Sequence, residues 1–65
     1  MSLKDDIRLV TGAETVEITG LEGAFAVKVS WSHGTKTVEV PQADFYVILQ
    51  ATGADRFELI RRFGL

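Results

Sequence analysis

Few side chains in this 65-residue sequence could take part in acid–base or nucleophilic chemistry. His33 is the only histidine, and the absence of cysteine excludes a thiol nucleophile. A serine nucleophile would need His33 as its base. His33 precedes Gly34 between two stretches of alternating apolar and polar residues, which is typical of a hairpin turn. An exposed hairpin tip is a poor place to hold a catalytic base, so we expect no enzymatic activity.

Metal and phosphate sites are not indicated either. Zinc and calcium sites need converging histidine, cysteine or closely spaced acidic ligands, and the sequence has no such cluster. Gly20 and Gly23 lie between two predicted strands, whereas phosphate-binding loops lead from a strand into a helix. We therefore interpret these glycines as turn residues and expect neither a cofactor nor a metal.

Three arginines near the C-terminus, Arg56, Arg61 and Arg62, could suggest a basic recognition helix. However, Asp55 and Glu58 share the same segment, and seven basic against nine acidic residues give a formal net charge of −2. This charge has the wrong sign for a protein that binds polyphosphates. The charge thus argues against nucleic acid as a partner, and a nucleic-acid-binding protein that uses the hairpin and the Arg-bearing helix is our alternative hypothesis.

Length and composition predict one small globular domain that spans residues 1–65, with 46% hydrophobic and 25% charged residues. No apolar stretch approaches the length of a membrane-spanning helix. Asp5 and Asp6 stand where a signal peptide would be apolar. We expect a soluble cytoplasmic protein without a membrane partner.

The clearest structural pattern is the strict alternation from Phe25 to Val40 on either side of His33 and Gly34. A tight turn with these two residues at its centre pairs Val29 with Val38 and Val27 with Val40. Gly34 would then supply the positive φ of a primed turn.

Two further turns extend the prediction towards the N-terminus. The segment 20–23 would join Thr19 to Ala24, so that Ile18 faces Phe25 and Val16 faces Val27. A turn at Gly12 and Ala13 would pair Leu9 with Val16 and Ile7 with Ile18. These turns predict a four-stranded antiparallel meander with an apolar core face, made up of Ile7, Leu9, Val16, Ile18, Phe25, Val27, Val29, Val38 and Val40.

The first strand has an alternative. Ser2 and Asp5 resemble a capping box, Leu3 and Ile7 have helical spacing, and Gly12 could end a helix. Residues 3–11 are thus either a strand, which we prefer, or a helix.

Two short helices are predicted after Pro41, which ends the sheet. The first runs from about Gln42 to Thr52 and stops at Gly53, although the apolar run 45–49 leaves a buried fifth strand over 43–51 as an alternative. The second runs from about Arg56 to Phe63, with Asp55 and Glu58 as its capping box. The predicted fold is α+β, a four-stranded antiparallel β-meander followed by two short C-terminal helices packed on one face.

The functional hypothesis is a small, non-enzymatic interaction or regulatory module that self-associates. If Phe45, Ile48 and Leu49 face the sheet, Tyr46 and Val47 need another cover, which a homodimer or a protein partner would supply. Trp31 is a third candidate interface residue. We expect it near the end of its strand opposite Lys36, where it could also be an aromatic at the edge of the core.

Overall fold

The computed structural model describes residues 2–65, in which three helices cover one face of a three-stranded antiparallel sheet. In chain order the elements are α1 (Leu3–Thr11), β1 (Thr15–Leu21), β2 (Ala24–Trp31), β3 (Gly34–Pro41), α2 (Gln42–Gln50) and α3 (Gly53–Arg62). β2 lies in the middle of the sheet, so β1 and β3 form its edges. None of the helices described is long and apolar enough to cross a membrane.

The N-terminal segment is a helix, so the predicted first strand is wrong and the alternative is confirmed. Ser2 Oγ accepts a hydrogen bond from the Asp5 N–H at 3.2 Å, which caps the helix at its start. Gly12 ends it with a φ of 72° and donates to the Arg8 carbonyl at 2.8 Å. The predicted hairpin at Gly12 does not form, and Leu9 is exposed on α1.

The hairpin between β2 and β3 forms, but its register differs by two residues from the prediction. Val27 faces Val38, and Val29 faces Lys36. Ser32 and His33 are therefore the central turn residues, and Gly34 begins β3 without a positive φ. A two-residue slip keeps every side chain on its face because the strand period is two, so the apolar pattern could not exclude it.

The hairpin between β1 and β2 shows the same two-residue difference. Ile18 faces Val27 rather than Phe25, and Val16 faces Val29 rather than Val27. The turn is shorter than predicted because Gly23, with a φ of 74°, supplies the left-handed conformation that a two-residue turn needs.

The predicted core face of these three strands is confirmed. Val16, Val27, Val29 and Val40 are buried, while Ile18, Phe25 and Val38 pack against them. α1 contributes Leu3 and Ile7 to the same core, and the C-terminal helices contribute Phe45, Ile48 and Ile60. The opposite face of the sheet is largely exposed and carries polar pairs such as Glu17 opposite Lys28.

The two C-terminal helices are confirmed, with shifted boundaries. α2 starts at Gln42 and ends at Gln50, which rules out the alternative of a fifth strand. α3 starts at Gly53, three residues before the predicted start, because Thr52 is extended and occupies the N-cap position. Asp55 consequently lies in the first turn, and the predicted capping box with Glu58 is wrong.

Candidate interaction surface

The exposed side of α2 is uncharged. Phe45 and Ile48 are buried against the sheet, and the only charged residue of the helix, Asp44, is half-buried. The exposed residues, which we call the α2 surface, are Gln42, Ala43, Tyr46, Val47, Leu49 and Gln50. A partner that covers this side of the helix therefore has no charged side chain to remove from water.

Three large apolar residues dominate the α2 surface. The exposed fractions are 46% for Tyr46, 53% for Val47 and 41% for Leu49. The exposure of Tyr46 and Val47 agrees with the prediction, whereas Leu49 was expected to face the sheet. The buried stripe centres between Phe45 and Ile48, and a helical step of 100° places Leu49 roughly 70° from that centre.

The Tyr46 ring is held against aromatic neighbours. Phe25 of β2 stacks on Phe45, with ring centroids 4.1 Å apart and planes inclined by 20°. Tyr46 meets Phe25 edge-on, with a centroid distance of 6.1 Å and an angle of 72°. Its hydroxyl accepts a hydrogen bond from Gln42 Nε2 at 3.3 Å. These contacts orient the ring and leave its outer part accessible to a partner.

Trp31 lies at the opposite end of β2 from Phe25, roughly 20 Å away along the strand. It faces Gly34 rather than Lys36, and its ring stacks on His33 with centroids 5.6 Å apart. Its Nε1–H donates to the Thr11 carbonyl at 3.0 Å, which ties the end of α1 to the sheet. The structure therefore does not bring Trp31 together with Tyr46 and Val47.

Arg56 has a structural role that the sequence pattern did not reveal. Its Nη1 lies 2.9 Å from Asp6 Oδ2, and both side chains are almost fully buried. Its Nε and Nη2 donate to the carbonyls of Ile48 and Leu49 at 3.1 and 2.7 Å. Arg56 thus links α1 and α3 to the C-terminal end of α2, the helix that carries the α2 surface. Asp6 and Arg56 are 50 residues apart, so no local spacing could indicate the pair.

The titratable side chains of residues 2–65 form no metal-ligand set, because no group of three or more His, Asp or Glu is close enough to hold an ion. A shallow depression of about 410 Å³ on α1 is lined by Asp5, Arg8, Leu9, Gly12 and Ala13. A smaller one of about 240 Å³ lies beside the Asp6–Arg56 pair. His33 lines neither depression.

Comparisons with protein families, with curated proteins and with solved structures find no match for this chain. Folding of the single chain does not explain the α2 surface, because three large apolar side chains stay exposed to water there.

Proposed function

We propose that this protein is a small, non-enzymatic interaction module that self-associates as a homodimer, with the second copy covering the α2 surface. The observation that carries the proposal is the exposure of Tyr46, Val47 and Leu49 on a helix side without a charge. Grouped exposed apolar residues on a small domain are typical of interaction sites.

The absence of charge favours a second copy as the partner. In a twofold dimer each patch of the interface is buried twice, once on each chain, so a charge on the α2 surface would be removed from water twice. Burying a charge without an opposite partner is costly. The α2 surface avoids this cost, although the whole chain has a formal net charge of −2.

The size of a stable interface indicates that α2 does not act alone. A standard interface buries about 800 Å² on each partner. That is roughly one fifth of the 4079 Å² accessible surface of this chain. A helix of nine residues is only about 13.5 Å long, so neighbouring surface must also be covered. Phe25, which is half-buried next to Tyr46, marks one direction in which the interface extends.

Nucleic-acid binding, the alternative, has less support. Arg56 is buried in its ion pair with Asp6, and Arg62 is paired with Glu58 at 3.3 Å. The Arg-bearing helix therefore offers fewer unpaired cations to phosphates than the sequence suggests.

Two charged substitutions test the proposal, Tyr46→Glu and Val47→Lys. Either one places a charge within the apolar contact, and sedimentation velocity should show folded monomers where the wild-type protein is a dimer. Thr37→Glu, on the exposed outer face of β3, is the control and should stay dimeric. A wild-type protein that sediments as a monomer at several hundred micromolar would contradict the proposal.

A further inference from the structure

β1 is an edge strand with few of the features that normally prevent pairing with another chain. Natural edge strands are blunted by charged side chains, above all lysine, and by proline, bulges or short length. β1 has seven residues, no lysine and no proline, Glu17 is its one charged residue, and its pairing with β2 is uninterrupted from Thr15 to Leu21. The other edge, β3, carries Lys36 and ends in Pro41. Of the two edges of the described sheet, β1 is thus the less protected one.

The core face beside this edge is covered at one end only. Val16 is 7% exposed, whereas Ile18 is half-buried and Gly20 is exposed although both lie on the same face. Phe25, directly opposite Gly20, is also half-buried and contacts Tyr46. An open apolar area therefore extends from the second half of β1 to the α2 surface.

The position of α1 explains this difference. Thr11, the last residue of α1, is hydrogen-bonded to Trp31, which lies at the same end of the sheet as Thr15. The nine residues of α1 span about 13.5 Å, whereas the seven residues of β1 span about 23 Å. α1 is therefore too short to cover β1 over its whole length.

We propose that β1 pairs antiparallel with β1 of a second copy, so that two sheets join into one of six strands. The twofold axis passes between the two Ile18 residues. Val16 then faces Gly20 of the second copy, and Glu17 faces Thr19. This inference rests on the proposed self-association and specifies how the second copy binds.

The charges and the strand length select this register. Centring the pair on Glu17 would place the two Glu17 carboxylates opposite each other, which is destabilising. Centring it on Thr19 would place Glu17 opposite the apolar Leu21. Either shift leaves two residues of each strand without a partner, whereas centring on Ile18 pairs all seven.

The same arrangement covers the open area. Val16 of the second copy faces Gly20. The end of the second sheet that α1 covers therefore lies beside the uncovered end of the first sheet. α1 of the second copy then approaches Phe25 and Tyr46 on the helix-covered side of the joint sheet. A single interface between copies thus pairs the free edge of β1 and covers part of the α2 surface.

Two substitutions of Thr19 test the register, because they introduce opposite charges and should change the dissociation constant in opposite directions. Thr19→Lys places a cation opposite Glu17 of the second copy, and the dimer contains this pair twice. Its dissociation constant should fall by about two- to thirtyfold. Thr19→Glu places two carboxylates opposite each other and should raise the constant by a similar factor. Sedimentation equilibrium at low salt measures both, and the differences should shrink at high salt.

Thr35→Lys and Thr35→Glu are the matched controls, because Thr35 is exposed on the same outer face, lies on β3 and faces the uncharged Ser30. They change the net charge equally and should shift the dissociation constant much less. Cross-chain backbone NOEs between the Ile18 residues in a mixed-label dimer should also be present.

The possible failures can be distinguished. If the wild-type protein is a dimer that Tyr46→Glu dissociates, but the Thr19 and Thr35 variants have similar dissociation constants, the β1 pairing is wrong and the α2 contact stands. A wild-type chain that is monomeric at several hundred micromolar overturns both proposals.

Discussion

Arg56 and Asp6 form an ion pair of 2.9 Å that connects the third helix to the first, and both side chains are close to 90% buried. The same guanidinium donates to two carbonyls at the end of α2. In a chain of 65 residues, which can bury only a small core, this one side chain joins all three helices.

Removal of Arg56 should therefore be among the most damaging single changes. Arg56→Ala leaves the Asp6 carboxylate buried without its partner and should cost about 3–5 kcal/mol. Total stability for a domain of this size is of the same order, so the variant should be largely unfolded. Far-UV circular dichroism and urea titration measure the loss.

Asp6→Ala is the informative comparison. It leaves Arg56 with its two carbonyl acceptors, so its cost should be smaller, at about 1–3 kcal/mol. If Asp6→Ala proves as damaging as Arg56→Ala, the contacts with α2 contribute little.

The sequence could predict the faces of the strands but not their pairing. Moving Val29 from Lys36 to Val38 changes no side chain from core to solvent, so the apolar pattern is equally satisfied by both registers. The deciding feature is the conformation of the turns. Gly23 precedes one alternating segment and adopts a positive φ. Gly34 begins the next alternating segment and does not.

The sequence contains signals for the N-terminal helix, but they do not decide between a helix and a strand. Ile7 and Leu9 fit an alternating strand, while Leu3 and Ile7 fit a helix, and both patterns are short. The caps at Ser2 and Gly12 and the tertiary contact between Asp6 and Arg56 favour the helix.

The exposure of the α2 surface was predictable because consecutive apolar residues cannot all face one sheet. The edge of β1 was not, because the predicted additional strand would have covered it.

The two hairpin glycines should respond differently to alanine. Gly23→Ala forces a β-carbon into a φ of 74° and should destabilise the protein by roughly 1–2 kcal/mol. Gly34→Ala should be close to neutral, because Gly34 has no positive φ and a new β-carbon there would meet no atom within 4 Å. Thermal denaturation of the pair compares them directly. A larger loss for Gly34→Ala would indicate that the hairpin turn is centred on His33 and Gly34.

Trp31→Phe should lower stability without affecting self-association. The phenyl ring keeps most of the apolar contact but cannot donate to the Thr11 carbonyl, so about 0.5–1.5 kcal/mol should be lost. The site lies far along β2 from Tyr46, so the dimer dissociation constant should be unchanged. Weaker association with normal stability would instead identify Trp31 as an interface residue.

The melting temperature of the wild-type protein should rise with protein concentration. When folding and dimerisation are coupled, a tenfold increase in concentration stabilises each chain by about 0.7 kcal/mol, which is half of 1.4 kcal/mol per dimer. For a domain of this size the melting temperature should then rise by about 3–6 °C per decade. Tyr46→Glu removes the coupling, so its melting temperature should be lower and independent of concentration. A wild-type melting temperature that does not depend on protein concentration would mean that no second copy covers the α2 surface.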